Sequence, residues 1–172
     1  MKKIQIFLVA VVASLCWSLS SCQKANTTPV TINTDTANAP INPDEQRMLD
    51  LVNDARLNGC NCGNEYYPPV GPVTWNGLLE SAAKKHSEYM NRTGELDHKG
   101  ENNSNAGTRI SNEGYQWQAY GENIAEGYST EEEVMEAWLN SPGHCKNIMN
   151  GEFKEMGVGT SGSYWTQVFG AR

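Results

Sequence analysis

Trp138-Leu139-Asn140-Ser141-Pro142-Gly143-His144-Cys145-Lys146-Asn147-Ile148-Met149 is the stretch that decides the fold. Ser141-Pro142 closes one helix and opens another, because proline suits the first helical position and cannot extend the helix before it. His144 then falls in the first turn of the new helix. There the helix dipole disfavours imidazolium and favours the neutral ring that can bind a metal. Upstream, a helix starts at Ser129 or Thr130 and carries Val134, Ala137, Trp138 and Leu139 at helical spacing. Downstream, Met156-Gly157-Val158-Gly159 and Tyr164-Trp165-Thr166-Gln167-Val168-Phe169 have strand composition, and Ser161-Gly162 between them suits a hairpin.

The earlier half reads as mostly helical. Asn42-Pro43-Asp44-Glu45 is a helix start, with an Asn cap, Pro at the first position and acids in the first turn. Met48, Leu51, Val52 and Ala55 follow on one face, and Gly59 ends the helix. Pro68, Pro69, Gly71 and Pro72 mark a loop. A second helix is expected over Asn76 to Asn91, with Leu79, Ala82, Ala83, His86 and Met90 facing inward. A short helical turn is expected near Thr108 to Asn112, and a strand over Tyr120 to Ala125. Helices first and strands late give an α+β architecture. There is no internal repeat.

The ends and the charge bound the function. The chain has 172 residues, room for a leader, a tether and one domain. Lys2-Lys3 and the apolar run Ile4 to Trp17 form a leader over residues 1–21, too short for a comfortable membrane span. Leu19-Ser20-Ser21-Cys22 resembles a bacterial lipobox, which implies cleavage before Cys22 and its acylation. Residues 22–41, rich in Thr, Asn, Ala and Pro, are expected to be a flexible tether. The folded domain is expected over 42–172. Loss of Lys2 and Lys3 takes the net charge from −7 to −9. A chain so acidic lacks the basic face that nucleic acid requires, and does not dock on anionic lipid by charge. The expected location is the cell envelope, held by lipid on its extracytoplasmic side.

Few residues are suited to chemistry. His98, in Leu96-Asp97-His98-Lys99-Gly100, and His144 both lie near glycines, where a side chain can face a cleft. Glu122 follows Gly121 on the expected strand. Glu133 lies on the helix leading toward His144. Two imidazoles with one or two carboxylates suit a zinc-like ion that keeps an open, water-filled position. Each residue also has a plain structural role. Glu133 can form a capping box with Thr130, unless Ser129 and Glu132 form it one residue earlier and free Glu133. Glu122 can satisfy backbone donors. His86 reads as a hydrogen-bonded core histidine.

Taken together, residues 47 to 170 resemble the CAP superfamily, the SCP domains of cysteine-rich secretory proteins, venom antigen 5 and plant pathogenesis-related proteins. The matching stretches are Leu51-Val52-Asn53-Asp54-Ala55-Arg56, Leu96 to Gly100, Gly121-Glu122-Asn123-Ile124-Ala125, Trp138 to His144, and Tyr164 to Phe169. Ser141 to Met149 has the form of the bacterial branch. The resemblance implies an α-β-α sandwich with a central antiparallel sheet and a large cleft. That cleft would carry two His and two Glu, and some relatives bind zinc or another divalent ion there. Carried over by position, the set is His98, Glu122, Glu133 and His144, with Glu136 as the alternative to Glu133.

Cys60, Cys62 and Cys145 remain after the leader and the lipid take Cys16 and Cys22. Export favours a disulfide, and the resemblance implies Cys62–Cys145, leaving Cys60 free. Cys60–Cys145, and a zinc site from Cys60, Cys62, Cys145 and His144, are the alternatives.

Three functions follow from these readings. The first is a binding module whose cleft takes a lipid, glycan, small molecule or protein of the envelope or surroundings. The second is a metal-dependent hydrolase with Glu122 or Glu133 as general base. The third is an interaction lipoprotein that uses an aromatic rim of Tyr66, Tyr67, Tyr115, Trp117, Tyr120 and Tyr164, unless these rings serve packing.

Overall fold

The computed structural model describes residues 41–172. The leader, Cys22 and the tether up to residue 40 lie outside the described residues.

Helix α1 (Pro43–Asn58) begins as its sequence dictates. The Asn42 side chain accepts the Asp44 and Glu45 amides, both at 3.0 Å, and Glu45 returns to the Asn42 amide at 2.8 Å. This reciprocal cap satisfies donors that the first turn leaves unpaired. After Gly59 come two short antiparallel strands, β1 (Cys60–Cys62) and β2 (Glu65–Tyr67), then a two-residue strand β3 (Thr74–Trp75). Helix α2 (Gly77–Thr93) is capped by Asn76 and ends at a left-handed Gly94. Helix α3 (Ala106–Asn112) starts two residues earlier than expected. Its true cap is Asn105, whose side chain accepts the Thr108 amide at 2.8 Å. Strand β4 (Ala119–Glu126), helices α4 (Glu131–Asn140) and α5 (Pro142–Ile148), and strands β5 (Glu155–Ser161) and β6 (Tyr164–Ala171) complete the domain.

The main sheet has the order β3-β5-β6-β4. Strands β4, β6 and β5 pair antiparallel, and β3 joins β5 in parallel over Thr74–Glu155 and Trp75–Met156. Helices cover both faces. On one face α2 lies directly on the sheet at Gly157 and Gly159, where any Cβ would overlap the helix backbone at Leu79–Glu80 and Ala83–Lys84. On the other face α1, α4 and α5 bury Met48, Val52, Val134, Trp138 and Ile148 against Met156 and Phe169. The architecture is the α+β, α-β-α sandwich that the sequence implied.

Two devices tie the second face together. Arg56 is fully buried and donates to the carbonyls of Gly71 at 2.8 Å, Ile148 at 2.7 Å, Asn150 at 2.9 Å and Phe153 at 3.1 Å. Burial lowers its pKa to about 10, so the guanidinium stays charged at neutral pH. Cys62 and Cys145 form a disulfide with a Cα separation of 5.3 Å, joining β1 to α5. That bond removes the thiolates required by a Cys-rich zinc site and rules out Cys60–Cys145. Cys60 is itself disulfide-bonded, so the expected free thiol is corrected.

Candidate ligand site

Alternation along β4 sends neighbouring side chains to opposite faces. Ala125 joins the α1–α4–α5 core, whereas Ile124 packs with Met90 of α2. Glu122 shares the Ile124 side, with its carboxylate only 4% exposed. A buried carboxylate needs partners, and Glu122 has two. Oε1 accepts from His98 Nδ1 at 2.8 Å, and Oε2 accepts from Arg109 Nη2 at 2.5 Å. Arg109 also donates from Nη1 to the His98 carbonyl at 3.1 Å and the Ser104 carbonyl at 2.8 Å. One guanidinium therefore fixes both the carboxylate and the loop that carries its imidazole partner.

His86, expected in the core, is fully buried on α2. Its Nε2 donates to the Asp97 carbonyl at 2.9 Å and stands 4.0 Å from Glu122 Oε1. It thus holds the residue just before His98. The His98 side chain, 58% exposed, is presented to solvent from this fixed base.

His144 reaches the same region from α5. Its carbonyl accepts from Asn123 Nδ2 at 3.2 Å. Asn147 Nδ2 donates to Asn123 Oδ1 at 2.8 Å and to the Glu122 carbonyl at 3.1 Å. These amides couple α5 to the strand that bears Glu122. The His144 ring is half-buried and feels the charge of His98.

The electrostatics follow from this geometry. Burial raises the Glu122 carboxyl, but the His98 hydrogen bond and the charges of Arg109 and His86 outweigh it, and the pKa is lowered. The Glu122 hydrogen bond raises His98 against the opposing effect of burial. Burial, then the charge of His98, lowers His144. Burial also lowers His86, against the charge of Glu122.

Glu133 is held elsewhere. Its Oε2 accepts the Ser129 amide at 2.9 Å, and its own amide donates to Thr130 Oγ1 at 3.3 Å. This is the capping role, reached one residue further back than the Thr130 amide. Glu132 pairs with Arg47 at 2.5 Å, so it does not release Glu133 from the cap. Glu136 is exposed. Among the described residues no three His, Cys, Asp or Glu side chains gather closely enough to hold a metal ion. The donor chemistry agrees, because a guanidinium already occupies Glu122. The arrangement does not fit a resident metal, and no chemical step through one is derived.

The aromatic residues do not form one rim. Tyr115 and Tyr164 are core, Tyr66 and Trp117 are exposed, and Trp117 meets Tyr120 edge-on at 4.6 Å. Arg109 is the residue that sequence reading missed. Glu113, four residues on, is its natural helical partner. Glu113 instead binds Ser81 at 2.7 Å and Lys85 at 2.6 Å, which leaves Arg109 for Glu122.

A helix-covered, mainly antiparallel sheet, with a buried Glu on its edge strand β4 and flanking imidazoles from a loop (His98) and a helix (His144), defines a CAP-type domain. The model of the CAP family, described as the cysteine-rich secretory protein family, matches residues 49–169, and the chain belongs to that family. The uncharacterized protein YkwD of Bacillus subtilis (strain 168) is 33% identical over 153 residues, covering 87% of this chain and 56% of that protein. The chain thus spans about half the length of this relative, and 34% of a second, the uncharacterized membrane protein YlbC of the same organism. Among solved structures, an extracellular protein containing a SCP domain from Bacillus anthracis str. Ames has a TM-score of 0.65 at 27% identity, covering 78% of this chain and 45% of that one. An outer surface protein from Borrelia burgdorferi shares the fold, with a TM-score of 0.60 at 20% identity, covering 74% of this chain and 91% of that one.

Proposed function

We propose that this protein is an extracytoplasmic, lipid-anchored envelope protein whose CAP domain binds an envelope or extracellular ligand at the His98–Glu122–His144 face. The observation that carries the reading is His98. Its ring is exposed to solvent, yet it is fixed through Nδ1 to a buried, ionised carboxylate. Such preorganisation lowers the entropy lost when a polar group engages a ligand. The disulfide supports an oxidising compartment, as does the extracellular SCP-domain neighbour. Among the described residues no helix is long and apolar enough to cross a membrane; the anchor in this reading is acylation of Cys22 in Leu19-Ser20-Ser21-Cys22.

Zinc enters this proposal as an added ligand of His98 and His144, in competition with the Glu122–Arg109 network. Hydrolysis is less favoured. A general base must be free to take a proton, and Glu122 is doubly bonded while Glu133 caps α4.

The test is to purify the full-length protein from its envelope in mild detergent and identify co-purifying small molecules by mass spectrometry. The wild type should retain a ligand that the His98→Ala/His144→Ala variant loses. Added zinc, titrated calorimetrically, should bind the wild type and not that variant. Identical small-molecule profiles for the two proteins would sink the binding reading.

A further inference from the structure

A second polar site lies between α2 and α3, beside the face described above. It is a groove of about 590 Å³, lined in part by His86, Tyr89, Asn102, Asn103, Ser104 and Asn112. Its charges are mostly matched internally, with Glu88 the exception. Lys85 pairs with Glu113 at 2.6 Å, Arg92 with Glu101 at 3.5 Å, and Arg109 with Glu122. Little charge is left over to select an ionic ligand.

The uncharged groups are a different matter. The side chains of Asn102, Asn103, Ser104 and Asn112 are each able to donate and accept, and none makes a hydrogen bond among the described residues. Asn102 and Asn103 both have left-handed backbones, with φ of 56° and 58°. Asn adopts that region more readily than other non-glycine residues, and both side chains are exposed on this turn. At the groove wall, His86 is fully buried and its Nε2–H is committed to the Asp97 carbonyl. Its Nδ1 is therefore an acceptor, and it has no partner. It is sealed behind the groove wall and marks that wall as polar. Tyr89, half-buried, adds a ring surface beside it, with its plane 11° from that of His86.

We propose that this groove binds a neutral, polyhydroxylated ligand, a short stretch of glycan. Hydroxyls both donate and accept, as the free amides do, and the carbon faces of a sugar ring suit an aromatic surface. The inference does not depend on the His98–Glu122–His144 reading, because the ligand groups differ.

The experiment titrates the full-length protein in detergent with neutral tetrasaccharides (chito-, cello- and maltotetraose), followed by saturation-transfer NMR and calorimetry. At least one should bind, with an affinity unchanged between low and high salt. The Asn102→Gly/Asn103→Gly variant keeps the left-handed backbone and removes both amides. It should weaken binding about tenfold, the equivalent of losing one or two hydrogen bonds. Tyr89→Leu should weaken it similarly, and Tyr89→Phe should restore it. His98→Ala/His144→Ala should leave it intact, which separates this site from the first. Thermal unfolding checks that each variant is folded. Failure of all three sugars to bind, binding that falls with salt, or full affinity in the double-glycine variant would each overturn the proposal.

Discussion

Glu122 governs the site at the scale of single residues. It is buried yet ionised because His98 and Arg109 supply the hydrogen bonds and charge that water would otherwise provide. The directions of the shifts define where this pairing stabilises the protein. His98 is raised, so its contribution is complete below the ordinary imidazole value of 6.5 and disappears as pH climbs through the raised one. Glu122 is lowered, so its contribution is complete above the ordinary carboxylate value and disappears as pH falls through the lowered one. By imidazole NMR, His98 should titrate above 6.5 and His144 below it. Glu122→Gln should bring His98 down and, by reducing the charge of His98 near neutrality, raise His144. Titration of both rings at one unshifted value would contradict the assigned contacts. The sequence exposed Glu122 and the two imidazoles as candidates. It hid Arg109, because the local i,i+4 rule assigns that guanidinium to Glu113.

At the scale of elements, caps were legible and short strands were not. Asn42, Asn76 and Thr130 announce their helices because a cap is a local event, complete within three or four residues. Strands β1, β2 and β3 have two or three residues each and exist through partners elsewhere, β3 through β5 some 80 residues on. No local pattern encodes that. The same holds for Gly157 and Gly159. Their composition reads as a weak strand, yet the missing side chains are what let α2 lie on the sheet. Gly157→Ala should destabilise the domain by roughly 1–3 kcal/mol, the usual cost of overpacking, measured as a lower midpoint of chemical unfolding. A substitution on the exposed face of α2, such as Glu88→Ala, should change it little. Equal midpoints for Gly157→Ala and wild type would mean that α2 does not rest there.

For the whole molecule, residues 22–41 are all that would join the lipid to the domain if Cys22 is acylated. With the leader removed, a net charge of −9 would give no electrostatic hold on an anionic bilayer, so in the proposed reading attachment would depend on the lipid alone. Cys22→Ser should therefore abolish incorporation of labelled palmitate and move the protein from the membrane to the soluble fraction. Unchanged fractionation of that variant would remove the anchor from the account. The α-β-α order was legible at this scale because dispersed motifs occur in a fixed sequence. The assignment of Glu133 to the cleft was legible only by position, and the same residue also carried a capping signal that the structure uses.

The buried Arg56 has a consequence for handling the protein. Residues 149–154 carry no regular hydrogen-bond ladder of their own, and a digesting enzyme would ordinarily enter such a segment first. Three of its bounding carbonyls are gripped from inside by one guanidinium. Trypsin should leave this stretch whole and begin instead at the open, solvent-facing run from Thr93 to Lys99, where a cut after Lys99 would part His98 from α3, whose Arg109 holds its carbonyl.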